Sequence, residues 1–593
     1  MKRKKINFMC TAFRDGFQSA YGARVKTSDF LPAVEAARAA GITYFEAGGG
    51  ARFQSLYFYC QENAFDMMDQ FRAAAGPDAK LQTLARGVNV VGLESQSSEI
   101  IKLHAQLFKK HGIDVIRNFD ALNDVNNLIY SGKVIQEAGL EHQVCVTLME
   151  LPPGCVGAHD KEFYELTLRQ ILDAEIPFKS LCFKDASGTA VPQKIFETIK
   201  SARKLLGRDV PIHFHTHDTA GVGVMGNKAA LEAGADSIDL SLAPCSGGTC
   251  QPDVLVMWHA LRGTEYDLDI DVDRVRESEE VFKECMKDYF LPPEATCVEP
   301  LIPWSPMPGG ALTANTQMLR DNGIMDKYND IIKAMSDVVS KGGFGTSVTP
   351  VSQFYFQQAF NNVMFGPWKK IAPSFGEMVL GYFGKTPVTP DEEVVKLAMD
   401  QLNLPINKKT VLELNDSKPE KGLDAARKIL EAEKLPISDE NIFIVATCKE
   451  KGLLYLHGKG ENGIRKKIEE SPTVGPYRIE VSGESFEVEL TQENEVLVNG
   501  KAYKVSLNEG SKSQTKVGNQ KSEKVQAHMP GKIFKLLVSV GDHVKEGDVV
   551  LILEAMKMEI EVKTSKSGKV EKIAFTVGQQ VNTGDDLVYL TNN

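Results

Sequence analysis

Three histidines alternate with other residues in HFHTHD, His213 to Asp218. In an extended strand every second side chain points to the same face. His213, His215 and His217 then share a face, and two neighbours on it can ligate one cation through imidazole nitrogens. The third lies deeper in the same wall. The chain has eleven histidines, so three in six residues is a concentration of ligands. Asp15, in FRDGFQ, offers an oxygen from near the N-terminus, and Lys184, in FKDASG, closes another apolar run. A buried ammonium beside a cation is costly. Carbamylation turns that amine into an anionic ligand and removes the cost. Asp15, Lys184 and two of the three histidines thus form a candidate centre for a divalent metal. The other reading of the same residues is a hydrogen-bonded histidine cluster without metal.

These side chains need elements to bring them together. Short apolar runs recur as KINFMC, ITYFEAGGG, LQTLARG, DVIRNFD, HQVCVTLME, SLCFKDASG, PIHFHTHD and SIDLSLAP. Helix-like stretches lie between them. DFLPAVEAARAAG is apolar at helical spacing and stops at Gly41. This alternation over residues 1–300 predicts an α/β fold, a (β/α)₈ TIM barrel rather than an open sheet. In such a barrel the residues closing each strand face the active site. Here those residues are polar: Arg14, Asp15, Glu46, Arg86, Asp120, Lys184, Asp185, His215 and His217.

A second concentration of signals lies near the C-terminus. GKIFKLLVSVGDHVKEGDVV starts at Gly531, and GKVEKIAFTVGQQVNTGDDL starts at Gly568. Glycines match at 531/568, 541/578 and 547/584, Val544 matches Val581, and Asp548 matches Asp585, always 37 residues apart. This is an internal duplication. Each half alternates short apolar strands with Gly-Asp turns, which predicts a small all-β sandwich with pseudo-two-fold symmetry over residues 526–593. Lys557, in EAMKME, falls at the centre of the duplicated span, in the hairpin joining the halves. An accessible amine there is open to enzymatic modification. Residues 508–525 are rich in Gly, Ser, Lys and Gln and read as a flexible linker, which keeps a tethered group at high local concentration near its target. Residues 470–507 alternate cleanly and contain Asn-Gly, a small β unit suited to subunit assembly. Residues 301–465 read as mainly helical.

At 593 residues the chain exceeds one ordinary core. Its net charge of -11 argues against nucleic acid as a partner. Ten cysteines without a regular framework point to a reducing compartment. No apolar run approaches the roughly 18 residues of a membrane span. The expected location is cytoplasmic, with docking on a membrane partner subunit as a second case.

Ala555-Met556-Lys557-Met558 in its duplicated setting resembles the biotin carboxyl carrier domain. That resemblance implies biotin covalently on Lys557, attached by a biotin protein ligase. The N-terminal motifs resemble the carboxyltransferase domain of pyruvate carboxylase, the α subunit of oxaloacetate decarboxylase and the 5S subunit of transcarboxylase. The resemblance implies Asp15, carbamylated Lys184, His215 and His217 as ligands of Zn, Mn or Co. It implies Arg86 as the clamp on the carboxylate of a 2-oxo acid, and Gln18 near the ketone or enolate oxygen. It implies Thr349, in SVTPVS, as the proton shuttle between biotin and substrate. It places residues 301–465 as a helical domain completing the active-site mouth, in a homo-oligomer.

The motifs also depart from the family pattern. RDGFQ carries Phe17 where the family has His, Gly92 is followed by Leu93 rather than Tyr, and Ala47-Gly48-Gly49-Gly50 replaces a Trp-Gly-Gly. CSGGTCQP, Cys245 to Pro252, replaces a Met-rich stretch. Carboxyl transfer between carboxybiotin and a 2-oxo acid is the expected activity, with pyruvate and oxaloacetate as the first pair. A larger acid such as 2-oxoglutarate stays open, with Phe17 and Leu93 as the pocket residues to examine first. The chain lacks a biotin-carboxylase-type ATP site, so it needs either a separate biotin carboxylase subunit or a membrane subunit that decarboxylates carboxybiotin and exports sodium. A metal-dependent aldolase-like enzyme is the remaining reading, although that group lacks both the arm and Lys184.

Overall fold

The computed structural model of the chain describes residues 3–467, 477–481, 484–490, 495–499, 501–504, 523–527, 531–555, 558–581 and 584–591. It divides into two compact units, Met1–Arg465 and Lys466–Asn593.

In the first unit, eight strands close a barrel in chain order: β1 (Asn7–Cys10), β2 (Tyr44–Glu46), β3 (Lys80–Ala85), β4 (Val115–Phe119), β5 (Glu141–Leu148), β6 (Ser180–Asp185), β7 (Ile212–Thr216) and β8 (Ser237–Leu240). Neighbouring strands are parallel, and β1 pairs with β8 to complete the ring. Helices cover the outside, so the strands are buried on both faces. That explains why their sequences are apolar runs and not alternating patterns. The helices carry their own start signals: Asn63 accepts from Phe65 N, Asp160 from Phe163 N, and Asp253 from Leu255 N.

Two helical turns after β1, Ala12–Gly16 and Phe17–Tyr21, sort the residues that follow the first strand. Side chains four apart share a helical face. Phe13 and Phe17 therefore point together into an aromatic cluster with Phe30 and Phe282, at ring-centroid distances from 5.1 to 6.0 Å. Arg14 and Gln18 share another face, where Arg14 Nη1 donates to Gln18 Oε1 at 3.2 Å. Phe17 is fully buried in this core. It is packing, not pocket wall, which corrects the expectation drawn from its position beside the motif.

After the barrel the chain is helical, including Gly309–Asp321, Tyr328–Lys341, Val351–Phe365, Val411–Asp416, Leu423–Ala432 and Asp439–Leu456. These helices and their loops bond back to the barrel. Thr313 Oγ1 donates to Ser19 O at 2.6 Å, and Thr346 N donates to Ala121 O at 2.8 Å. Among the described residues, no helix is long and apolar enough to cross a membrane.

The second unit begins with a four-stranded antiparallel sheet of β9 (Tyr477–Val481), β10 (Glu484–Leu490), β11 (Glu495–Val498) and β12 (Lys501–Lys504). Val498 pairs with Lys501, and Asn499 sits at φ +49°, as a two-residue hairpin turn requires. Two further four-stranded sheets follow. One contains β13 (Glu523–Gln526), β15 (His543–Val544), β18 (Gly568–Ile573) and β20 (Asp586–Thr591); the other contains β14 (Gly531–Leu536), β16 (Val549–Ala555), β17 (Met558–Lys563) and β19 (Gln580–Val581).

The duplication explains this arrangement. Gly531 pairs with Val581, and the equivalent pair in the other sheet is Gly568 with Val544. Each half thus gives strands to both sheets, and neither half closes alone. Gly541 and Gly578 sit at φ +103° and +94°, and Gly547 and Gly584 at +89° and +87°, so the repeated glycines occupy turns that disfavour a side chain. Ala555 pairs with Met558. Met556, Lys557 and most of the predicted 508–525 linker lie outside the described residues.

Candidate active site

The C-terminal ends of β6 and β7 lie side by side, with Lys184 in register with His215. Lys184 Nζ is 2.6 Å from His215 Nε2 and 3.5 Å from Asp15 Oδ2. His215 Nε2 and His217 Nε2 are each 3.5 Å from the same Asp15 oxygen. One ligand atom from each of Asp15, His215 and His217 lies within 4.8 Å of the others, and all three residues are buried.

The tautomers are set from behind. His215 Nδ1 is 2.6 Å from Asp239 Oδ2, and His217 Nδ1 is 2.6 Å from Thr249 O. Both Nδ1 atoms therefore carry the proton, and both Nε2 atoms present lone pairs toward Asp15. Gln251 fits this assignment: its Oε1 accepts from Thr11 Oγ1 at 2.6 Å, and its amide nitrogen lies 3.0 Å from His217 Nε2. An acceptor behind each imidazole is the usual support of a metal-binding histidine.

Electrostatics hold the donors in ligating form. Burial acts to raise the Asp15 carboxyl, but Arg14, then Lys184, outweigh it and hold it well below the usual carboxylate range. Burial, reinforced by Lys184, pushes His215 well down, so its imidazole is neutral. Burial likewise acts to raise Asp239, yet Arg117 and His213 hold it well down. Arg117 donates to Asp239 and, through Nε, to Gln143 Oε1 at 2.6 Å. His213 contacts the other Asp239 oxygen. It is the deeper of the three histidines and supports the centre without joining it.

Arg14 pairs with Glu46 and, at 3.1 Å, with Asp15. Arg86 differs. Its Nη1 donates to the carbonyls of Val91 and Gly92 at 2.8 and 3.0 Å, and its buried Nε has no hydrogen-bond partner. Arg14, Lys184 and Arg117 each reach a carboxylate, whereas Arg86 makes no ion pair among the described residues. Burial, then repulsion from Arg14, lowers its basicity. An anion reaching this guanidinium would relieve both. Thr349 follows a loop anchored at the end of β5: Thr346 Oγ1 meets Thr147 Oγ1 at 2.8 Å, and Ser347 N lies 3.2 Å from Met149 Sδ.

Two strand-end acids serve loops instead of the centre. Asp120 accepts from Leu122 N, Asp124 N and Asn127 Nδ2. Asp185 accepts from Ser187, Thr189, Ala190 and Thr216. Their oxygens are committed to turn donors, so a place at a strand end does not aim them at substrate. Sequence reasoning missed Arg117 and Asp239. Their signal was a single charged residue at a barrel-facing position in each of two short strands, with opposite signs that demand pairing.

Three family models match the chain: a conserved carboxylase domain over residues 302–499, a biotin-requiring enzyme domain over 523–590, and an HMGL-like domain over 165–281. A pyruvate carboxylase subunit of Methanocaldococcus jannaschii is 29% identical over 575 residues, covering 93% of this chain and 94% of that one. The methylmalonyl-CoA carboxyltransferase 5S subunit of Propionibacterium freudenreichii is 31% identical over 400 residues, covering 67% of this chain and 77% of that protein. The carboxyl transferase domain of Rhizobium etli pyruvate carboxylase shares the fold, with a TM-score of 0.69 at 22% identity over 86% of this chain and 89% of that one. Together with the closed barrel and the duplicated carrier module, these matches show that the chain belongs to the biotin-dependent carboxyltransferases, in the pyruvate-carboxylase-like group with a C-terminal biotin-carrier domain.

Proposed function

We propose that the chain is the carboxyltransferase and biotin-carrier subunit of a pyruvate carboxylase, with pyruvate and oxaloacetate as its 2-oxo acids. The observation that carries this reading is Arg86, a buried guanidinium without a carboxylate partner, on the same barrel face as the Asp15, His215 and His217 donors. A planar carboxylate suits its fork. It is one uncompensated cation, which favours an acceptor with a single carboxylate, such as pyruvate, over the larger dicarboxylic 2-oxoglutarate.

Asp15, His215 and His217, with a carbamate on Lys184 Nζ, would hold a divalent ion, and the donor set fits because both Nε2 atoms are unprotonated by the bonds behind them. When bound, the ion supplies Lewis-acid polarisation of the ketone and stabilises enolate charge. Biotin on Lys557 supplies the site that gives or takes the carboxyl group. The chain's own residues do the rest. Arg86 orients the substrate carboxylate. Gln18 lies beside Arg14 and donates toward the ketone oxygen. Thr349 Oγ1 moves the proton that leaves or returns to the substrate methyl carbon. The partners are a separate biotin carboxylase subunit, a biotin protein ligase and further copies of the chain.

Pyruvate release from oxaloacetate by the purified full chain, supplied with free biotin, tests this directly. Biotin-dependent release is the expected result, together with one biotin on the peptide holding Lys557 and none in Lys557→Arg. The carboxylation product of 2-oxoglutarate is the parallel substrate. Turnover of that compound alone would overturn pyruvate as the acceptor.

The support behind His215 gives a second prediction. Asp239→Asn removes the charge that fixes the imidazole, and such outer partners are worth about 10–100-fold in metal affinity. Zn or Mn binding followed by calorimetry should weaken by that factor. Unchanged affinity would remove Asp239 from the centre.

A further inference from the structure

The loop that carries Arg86 is strained at one end and tied down at the other. Val90 sits at φ +45°, ψ −105°, a conformation that a β-branched side chain adopts only when its surroundings force it. The turn it makes brings Val90 O to Arg86 N at 3.0 Å and turns the Val91 and Gly92 carbonyls onto Arg86 Nη1. The loop then runs across the barrel end, with Gln96 N on Val88 O at 2.8 Å and Asn89 Nδ2 on Leu93 O at 2.9 Å.

What holds its far end comes from more than 300 residues away. Asn415, in the helix Val411–Asp416, is buried. Its Nδ2 donates to Gln96 O at 3.1 Å, and its Oδ1 accepts from Ser95 Oγ at 3.3 Å and Lys421 Nζ at 2.8 Å. Lys421 Nζ also donates to Ser95 O at 2.8 Å, while Ser97 Oγ donates to Lys421 O at 2.8 Å. Asp416 Oδ1 accepts from Ser98 N at 2.8 Å. Residues 95–98 are therefore clasped from one side by a short helix and the turn after it. Both amide atoms of Asn415 are used, and a side chain without them would take the donor from the buried Gln96 O and leave Lys421 Nζ with Ser95 O alone of its two acceptors.

We propose that Asn415 and Lys421 are positioning residues for the substrate clamp, holding the 86–98 loop in the conformation that aims Arg86. The helical segment after the barrel then sets affinity for the 2-oxo acid without touching it. This rests on Arg86 being the carboxylate clamp.

The test is steady-state pyruvate release from oxaloacetate by the full metal-loaded chain. Asn415→Leu and Lys421→Met should each raise KM about tenfold with kcat within about twofold, the pattern of lost binding that is equal in ground and transition states. Lys421→Arg, which keeps a donor, should stay near wild type. Metal content should not change. Ser97→Ala removes only the bond to Lys421 O and should move KM in the same direction, so the test stands where a larger change fails to fold. If Arg86→Ala raises KM and the clasp variants do not, the clasp is overturned. If Arg86→Ala leaves KM unchanged, the clamp reading itself fails, and the clasp with it.

Discussion

Replacing Lys184 with Ala is expected to lower carboxyl transfer by about a thousandfold and to strip the metal from the barrel. Lewis-acid stabilisation of a developing enolate is worth several kcal/mol, and about 4 kcal/mol corresponds to three orders of magnitude in rate. Lys184 Nζ stands 2.6 Å from His215 Nε2 and 3.5 Å from Asp15 Oδ2, within the same cluster of donors. As an ammonium it would repel a divalent ion. As a carbamate it would complete the ligand set. The two roles separate by chemical rescue. Formate or acetate added to Lys184→Ala should restore metal binding and part of the activity, because a small carboxylate can fill the anionic ligand position. Methylamine should not. Rescue by the amine and not by the acid would overturn the carbamate and make Lys184 a cationic residue of the site.

Much of this centre was legible because its parts obey short-range rules. The eight strands each appear as an apolar run, since both faces of a barrel wall are covered. The period of two in HFHTHD places His213, His215 and His217 on one side, and the register then sets His215 beside Lys184. The repeated glycines of the carrier module mark turns by a conformation that few other residues adopt. What stayed hidden depends on contacts remote in sequence or on local handedness. Phe17 reads as part of the motif, but the helical turn after β1 packs it with Phe13 into the aromatic core while Arg14 reaches Gln18. Asp120 and Asp185 stand at strand ends like true site residues, yet neighbouring turn N–H groups occupy their oxygens. Arg117 and Asp239 lie on strands distant in sequence, and only barrel closure brings the pair behind His215. The hold of Asn415 on Gln96 spans the distance between the barrel and the helices after it, where no periodic pattern reports contact.

Arg86→Ala should raise KM for oxaloacetate by about 30- to 5,000-fold, since truncating one partner of a buried, hydrogen-bonded charge pair costs about 2–5 kcal/mol. The guanidinium already has two carbonyl partners, from Val91 and Gly92, which fix its plane while leaving its charge unmatched. Arg86→Lys keeps the charge but loses the fork and its two anchors, so it should recover only part of the loss. The sharper measurement compares substrates. Wild-type enzyme should prefer pyruvate strongly over a methyl ketone that lacks the carboxylate, with proton exchange at the methyl carbon as the readout. In Arg86→Ala that preference should collapse, because the carboxylate no longer has a partner to distinguish it. A preference that survives the substitution would place the carboxylate elsewhere. Arg14 would then be the next candidate, although its guanidinium is already held by Glu46 and Asp15, and binding substrate there would first require breaking a buried ion pair.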